Sequence, residues 1–121
     1  MNLQKNTLTL KKELNQLLEH YQLNEAPKDL RDKEFFQFVK MTTNPTYELL
    51  DIWEEEALEQ IKKHQLRVHP HQVVSTKENM ELLLMHSYYV DVKEKRYMEL
   101  NYSIHYVLDI LLEDLVNLSE S

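Results

Sequence analysis

The chain has 121 residues, 42% of them hydrophobic and 29% charged, with a formal net charge of −7 and neither cysteine nor glycine. That length suits a single domain, expected to span 1–121, and the missing cysteines exclude disulfides, thiol nucleophiles and Cys-ligated zinc. Without glycine neither a P-loop nor a Rossmann fingerprint can form, no apolar run reaches the roughly 20 residues of a bilayer crossing, and −7 opposes nucleic acid.

Residues 1–10 mix Asn, Gln, Lys and Thr among leucines and contain no compact apolar signal segment, so the expected location is cytoplasmic. Leu3, Thr7, Leu10, Leu14, Leu17 and Tyr21 then recur at intervals of four and three, the seam of a packed helix over about 3–24. Asn24 stands where a left-handed terminator is needed, and Pro27 marks the turn into the next helix.

The second helix is expected over about 29–65. Asp29, Asp32 and Glu34 place negative charge where the helix dipole favours it. Phe36, Val39, Thr43, Thr46, Leu50, Trp53, Ala57 and Ile61 keep one helical phase straight across Pro45. Proline normally breaks a helix, but a loop would not preserve that phase, so the spacing predicts one long helix kinked near Thr42–Pro45. The third helix, about 72–92, has a capping-box spacing at Ser75 and Glu78 and then Met80, Leu82, Leu83, Leu84 and Met85, with no polar face for two turns. A helix apolar all round has to be covered on most sides, so this one is expected at the centre of the other three. Tyr97, Leu100, Ile104, Val107, Leu111, Leu115 and Leu118 define a fourth helix over about 94–118. The fold class is all-α, a four-helix up-and-down bundle, with Trp53, Leu83, Leu84 and Ile104 in its core.

From about Phe36 to Leu112 the chain resembles the YppE-like family of small helical proteins from Bacillus-type bacteria. The likeness is densest in HPHQVVSTKENMELLLMHSYYVDVKEKRYMELNYSIHYVL, His69 to Leu108, with Trp53 upstream. The resemblance implies a cytoplasmic helical bundle; the family's function is unknown, so it supplies no catalytic residue.

The residues offer little chemistry of their own. Bundle cores hold di-iron through Glu-x-x-His pairs, yet leucine, isoleucine, valine or tyrosine stands three positions before each of the six histidines. His64, His69 and His71, with Glu59 nearby, form a weak metal candidate; loop histidines beside proline are more often simply solvated. His86 and His105 lie among apolar neighbours and are expected to be partly buried and hydrogen-bonded. No catalytic residue, resident metal or cofactor is expected. Tyr88, Tyr89, Tyr97, Tyr102 and Tyr106 fall in one third of the chain, where they suit either the wet edge of a core or a recognition surface.

Charge is uneven. Residues 1–44, 45–66, 67–98 and 99–121 carry nets of +1, −4, +1 and −5. In an up-and-down bundle Arg31, Lys33, Lys93, Lys95 and Arg96, together with Lys28, meet at one end, whereas Glu54, Glu55, Glu56, Glu59, Glu113 and Asp114 lie toward the other. These cations are the interaction candidates. The function expected is a non-enzymatic protein-interaction module with an unidentified protein partner; the alternative is a small-ligand or metal-binding bundle using a pocket lined by His86, His105 and tyrosines. Neither nucleic acid nor a membrane is an expected partner.

Overall fold

The computed structural model describes residues 2–120, and among them the chain forms four helices: α1 (Asn2–Leu23), α2 (Lys33–Lys63), α3 (Pro70–Tyr89) and α4 (Glu94–Glu120). Their connections are short, so successive helices run antiparallel. The Tyr21 hydroxyl at the end of α1 donates to the Val92 carbonyl between α3 and α4 at 2.6 Å, which ties those two turns together at one end. At the other end Arg67, between α2 and α3, reaches Glu113 and Asp114 of α4.

The expected centre is only half right. Both α1 and α3 pack against every other helix, while α2 and α4 flank that pair on opposite sides without touching. Nor is α3 covered all round: Leu83 and Leu84 are buried, Met85 is half-buried, and Leu82 is 47% exposed. Leu82 shares the exposed face of α3 with Val74, Ser75 and Glu78.

The core contains Trp53, Leu50, Met80, Leu83, Leu84, Tyr97, Ile104 and Leu108, each at most 2% exposed. Threonines belong in the seam because their hydroxyls find partners there. Those of Thr7 and Thr43 donate to the carbonyls of Leu3 and Val39 one turn back, at 2.6 and 2.8 Å. The Thr7 oxygen then accepts the Trp53 indole N–H at 3.0 Å, so the largest core side chain is also hydrogen-bonded.

Pro45 lies inside α2, which runs unbroken past it. Proline lacks the N–H that would bond the Met41 carbonyl, but Met41 is 74% exposed and water can serve that group. The start of α2 falls four residues later than expected, because Asp32 acts as its cap, its carboxylate accepting from the Glu34 and Phe35 amides. Phe36, which the sequence pattern placed first in the buried stripe, is 50% exposed; Val39 is the first buried residue of α2.

Two terminal assignments also change. Asn24 does not take a left-handed conformation; its side chain donates to the His20 carbonyl at 2.9 Å. The left-handed residue is Val90, at φ 48°, which closes α3 earlier than residue 92. A β-branched residue there costs of order 1–2 kcal/mol, and half-burial of Val90 against the core offsets it. Ser75 sits within α3 rather than capping it, for His69 precedes Pro70 at the helix start and its N–H donates to Gln72 Oε1 at 2.9 Å.

Tyr97 stacks on Tyr21 with ring centroids 3.9 Å apart, and its hydroxyl lies 2.6 Å from Ser87 Oγ. Since Ser87 donates to the Leu83 carbonyl, Tyr97 donates to Ser87. Burial pushes the Tyr97 phenol up to about 12; the Ser87 bond acts in the opposite direction and is outweighed. A phenol whose folded pKa exceeds its unfolded value of about 10 stabilises the fold in its neutral form, below pH 10. That contribution is lost as pH rises from about 10 to about 12. Urea midpoints should therefore fall through this window, and fall less steeply in Tyr97→Phe. Parallel curves for the two proteins would contradict this role.

Candidate interaction surface

The first eleven residues of α2 carry Phe35, Phe36, Phe38, Val39 and Met41, apolar groups spread around the helix. Such a segment would ordinarily be enclosed. Here only Val39 and Thr43 are buried among residues 33–43, whereas Phe36, Phe38 and Met41 are 50, 54 and 74% exposed. Burying side chains of this size is worth roughly 1.5–3 kcal/mol each, so their exposure forgoes a large stabilisation.

The rings that do find neighbours form a chain across the bundle. Phe35 meets Tyr89 edge-on at 5.2 Å and Phe38 at 6.3 Å; Phe38 meets Tyr88 at 6.3 Å, and Tyr88 packs on the His20 ring at 4.4 Å. Beside them Leu30 (62% exposed) and Phe36 line a concavity of about 270 Å³ with Arg31 and Lys33. The five tyrosines divide three ways, with Tyr88 and Tyr89 half-buried. Tyr97 is core, while Tyr102 and Tyr106 are 67 and 62% exposed.

Lys28, Arg31 and Lys93 in the two turns joined by Tyr21 and Val92, and Lys33, Lys95 and Arg96 in the first residues of α2 and α4, are all exposed. By count this end is not basic. Residues 25–41 hold four cations and four carboxylates, and residues 91–99 three of each. Four of these seven carboxylates are held locally: Asp29 accepts the Arg31 amide, Asp32 caps α2, Asp91 holds His86 Nδ1 at 2.8 Å, and Glu99 faces Arg96 at 3.7 Å. Among the described residues Lys28, Arg31, Lys33, Lys93 and Lys95 have no ion-pair partner, and neither do Glu25, Glu34 and Glu94, so this end presents exposed charge of both signs.

The opposite end is more internally neutralised than its composition suggests. Glu113 and Asp114 bind Arg67, Glu59 pairs with Lys63, Glu54 lies 3.6 Å from Lys77, and Lys11 holds Asp109 at 2.6 Å. Glu56 accepts from Asn6 at 2.6 Å. Hydrogen bonds to Glu113 and Asp114 raise the Arg67 guanidinium above its usual value, and the Asp51 hydrogen bond does the same for Lys77. The sequence showed no sign that Asp114, 5% exposed, organises the α2–α3 connection. Its carboxylate accepts the Arg67 and Val68 amides at 3.0 and 3.3 Å as well as the Arg67 side chain.

The histidines do not assemble. His69 and His71 stack at 5.9 Å and His64 caps the end of α2, but among the described residues no three His, Asp or Glu groups are placed to hold a metal ion. His86 bonds Asp91 rather than a tyrosine, and burial pushes the His105 imidazole below its usual value. A His/Tyr-lined groove of about 550 Å³ does lie between α3 and α4, with His71, Tyr102 and Tyr106 in its wall instead of His86 and His105. No helix among the described residues is long and apolar enough to cross a membrane.

Comparison with known proteins matches residues 7–115 to the bacterial domain of unknown function DUF1798. The uncharacterized protein YppE of Bacillus subtilis strain 168 is 30% identical over 83 residues, which are 68% of each chain. The crystal structure of YppE superposes with a TM-score of 0.85 at 23% identity, covering 99% of this chain and 97% of that one. Its solution structure gives 0.80, covering 97 and 94%. The four-helix architecture is therefore shared across the whole length, and the chain belongs to the DUF1798, or YppE-like, family of bacterial proteins.

Proposed function

We propose that the chain is a non-enzymatic protein-interaction module whose binding surface is the uncovered start of α2 with Arg31 and Lys33 at its edge. The observation that carries this reading is the exposure of Phe36, Phe38 and Met41 on a segment apolar around most of its circumference. Aromatic residues and methionine are the side chains enriched where partners bind. Arg31 and Lys33 line its edge beside Phe36, and Lys93, Lys95 and Arg96 lie at the same end of the bundle, so the partner suited to it is a protein whose apolar side chains are flanked by carboxylates.

The test is capture from a bacterial extract with wild type, with Phe38→Ser/Met41→Ser, and with Lys93→Glu/Arg96→Glu. A partner of the proposed kind is retained by wild type and lost with the serine pair. It is also weakened by the charge reversal and by salt, since screening lengths shrink to about 8 Å at physiological ionic strength. Equal capture by all three proteins would overturn the reading. So would self-association of wild type that the serine pair abolishes, because the occupant would then be a second copy.

A further inference from the structure

On the side of the bundle, where α1 and α2 diverge over α3, a groove of about 320 Å³ is floored by Leu17, Leu84 and the Tyr88 ring. Its polar wall has an unusual bias. The Thr43 hydroxyl spends its proton on the Val39 carbonyl at 2.8 Å, and the Thr46 hydroxyl spends its own on Glu13 Oε2 at 2.9 Å. His20 Nδ1 lies 3.0 Å from the Ser87 carbonyl, an atom that only accepts, so Nδ1 carries the proton. The other imidazole nitrogen is then an acceptor in the neutral ring. These four residues leave a guest only acceptors: Glu13, two threonine oxygens and an imidazole nitrogen; the groups able to donate are Gln16 and Thr42, on the exposed rim, and the Tyr88 hydroxyl.

Among the described residues no lysine, arginine or histidine forms an ion pair with Glu13, although the side chain is only half-exposed. Its charge is felt within the groove: Tyr88, pushed up first by burial, is pushed further by Glu13.

We infer that this groove binds an alkyl-linked ammonium group, with the charged nitrogen donating to Glu13 and the threonine oxygens and the stem lying on Leu17, Leu84 and Tyr88. An ammonium is three donors and no acceptor, the complement of Glu13, Thr43, Thr46 and His20, and a short hydrocarbon stem suits the floor. The groove adjoins the proposed protein-binding surface through Tyr88, which also meets Phe38, but its test reads the ammonium and not the partner, so either can fail without the other. A free amine and a lysine side chain both present such an ammonium; the chemistry is shared.

Amide chemical-shift titrations with n-butylammonium and its neutral isostere n-butanol test the site. Saturable shifts confined to residues around Glu13, Thr43, Thr46 and Tyr88 are expected with the cation, and at least about tenfold weaker binding with the alcohol, as befits loss of a charge-assisted contact. Glu13→Gln, which keeps an acceptor for Thr46, should weaken the cation about tenfold. Gln16→Lys, on the exposed rim one turn along α1, should block binding by placing a resident ammonium beside Glu13. A third titrant, Nα-acetyl-lysine methylamide, identifies the source: tighter binding than butylammonium indicates a lysine side chain, and equal or weaker binding a free amine. Equal affinity for alcohol and cation, unchanged cation binding in a folded Gln16→Lys protein, or absence of saturable shifts would overturn the assignment.

Discussion

Trp53→Ala should cost about 3–5 kcal/mol of folding stability, the largest single effect expected in this chain. Trp53 is fully buried and lies on the helix that crosses Pro45, so its loss opens a cavity that α1 and α3 cannot both close. The indole N–H donates to Thr7 Oγ1 at 3.0 Å, and that oxygen itself donates to the Leu3 carbonyl. Thr7→Val keeps the shape but strands a buried N–H, for a cost of about 1–3 kcal/mol. The two losses should not add in the double variant, because the indole that needs a partner is gone. Urea unfolding gives all three values. A midpoint unmoved by Trp53→Ala, or strict additivity with Thr7→Val, would contradict this packing.

Asp114→Ala is the second large effect, about 2–3 kcal/mol. The carboxylate is nearly inaccessible and accepts two successive backbone amides, those of Arg67 and Val68, where the chain leaves α2 for α3. Val68 is itself 1% exposed, so its amide has little access to water once the carboxylate is gone. Removing the guanidinium should matter much less: the Arg67 side chain is 57% exposed, and exposed ion pairs contribute little. The comparison separates a structural clamp from a surface ion pair. If Arg67→Ala proved as damaging as Asp114→Ala in the same unfolding experiment, the backbone bonds would not be the source of the stabilisation.

What the sequence made legible follows the physics that local pattern records. The α2 stripe survives Pro45 because packing of Thr43, Thr46, Leu50 and Trp53 on α1 and α3 fixes the helical phase on both sides of it. Phe36 fits that periodicity equally well yet lies outside, since a repeat cannot tell where the neighbouring helices end. Leu82 misled for a related reason: a run without polar residues marks a helix in contact with much of the bundle but does not say which of its faces is left to solvent. The Asp114 clamp joins positions 47 and 46 residues apart, and the groove's acceptor bias depends on where the Thr43 and Thr46 hydroxyl protons go. Neither is a property of local spacing. Val90, rather than Asn24, takes the left-handed turn because tertiary contacts against the core outweigh residue preference there.

The claim that the start of α2 is a protein-binding surface is tested most directly by a photo-crosslinking residue placed at Met41 in living cells, with Lys62 near the other end of α2 as the control. Both positions are exposed. The account predicts a dominant adduct with one other protein at Met41, suppressed by Phe38→Ser, and no such adduct at Lys62. An absence of adducts at Met41, the same adducts at both positions, or an adduct of the chain with itself would contradict it.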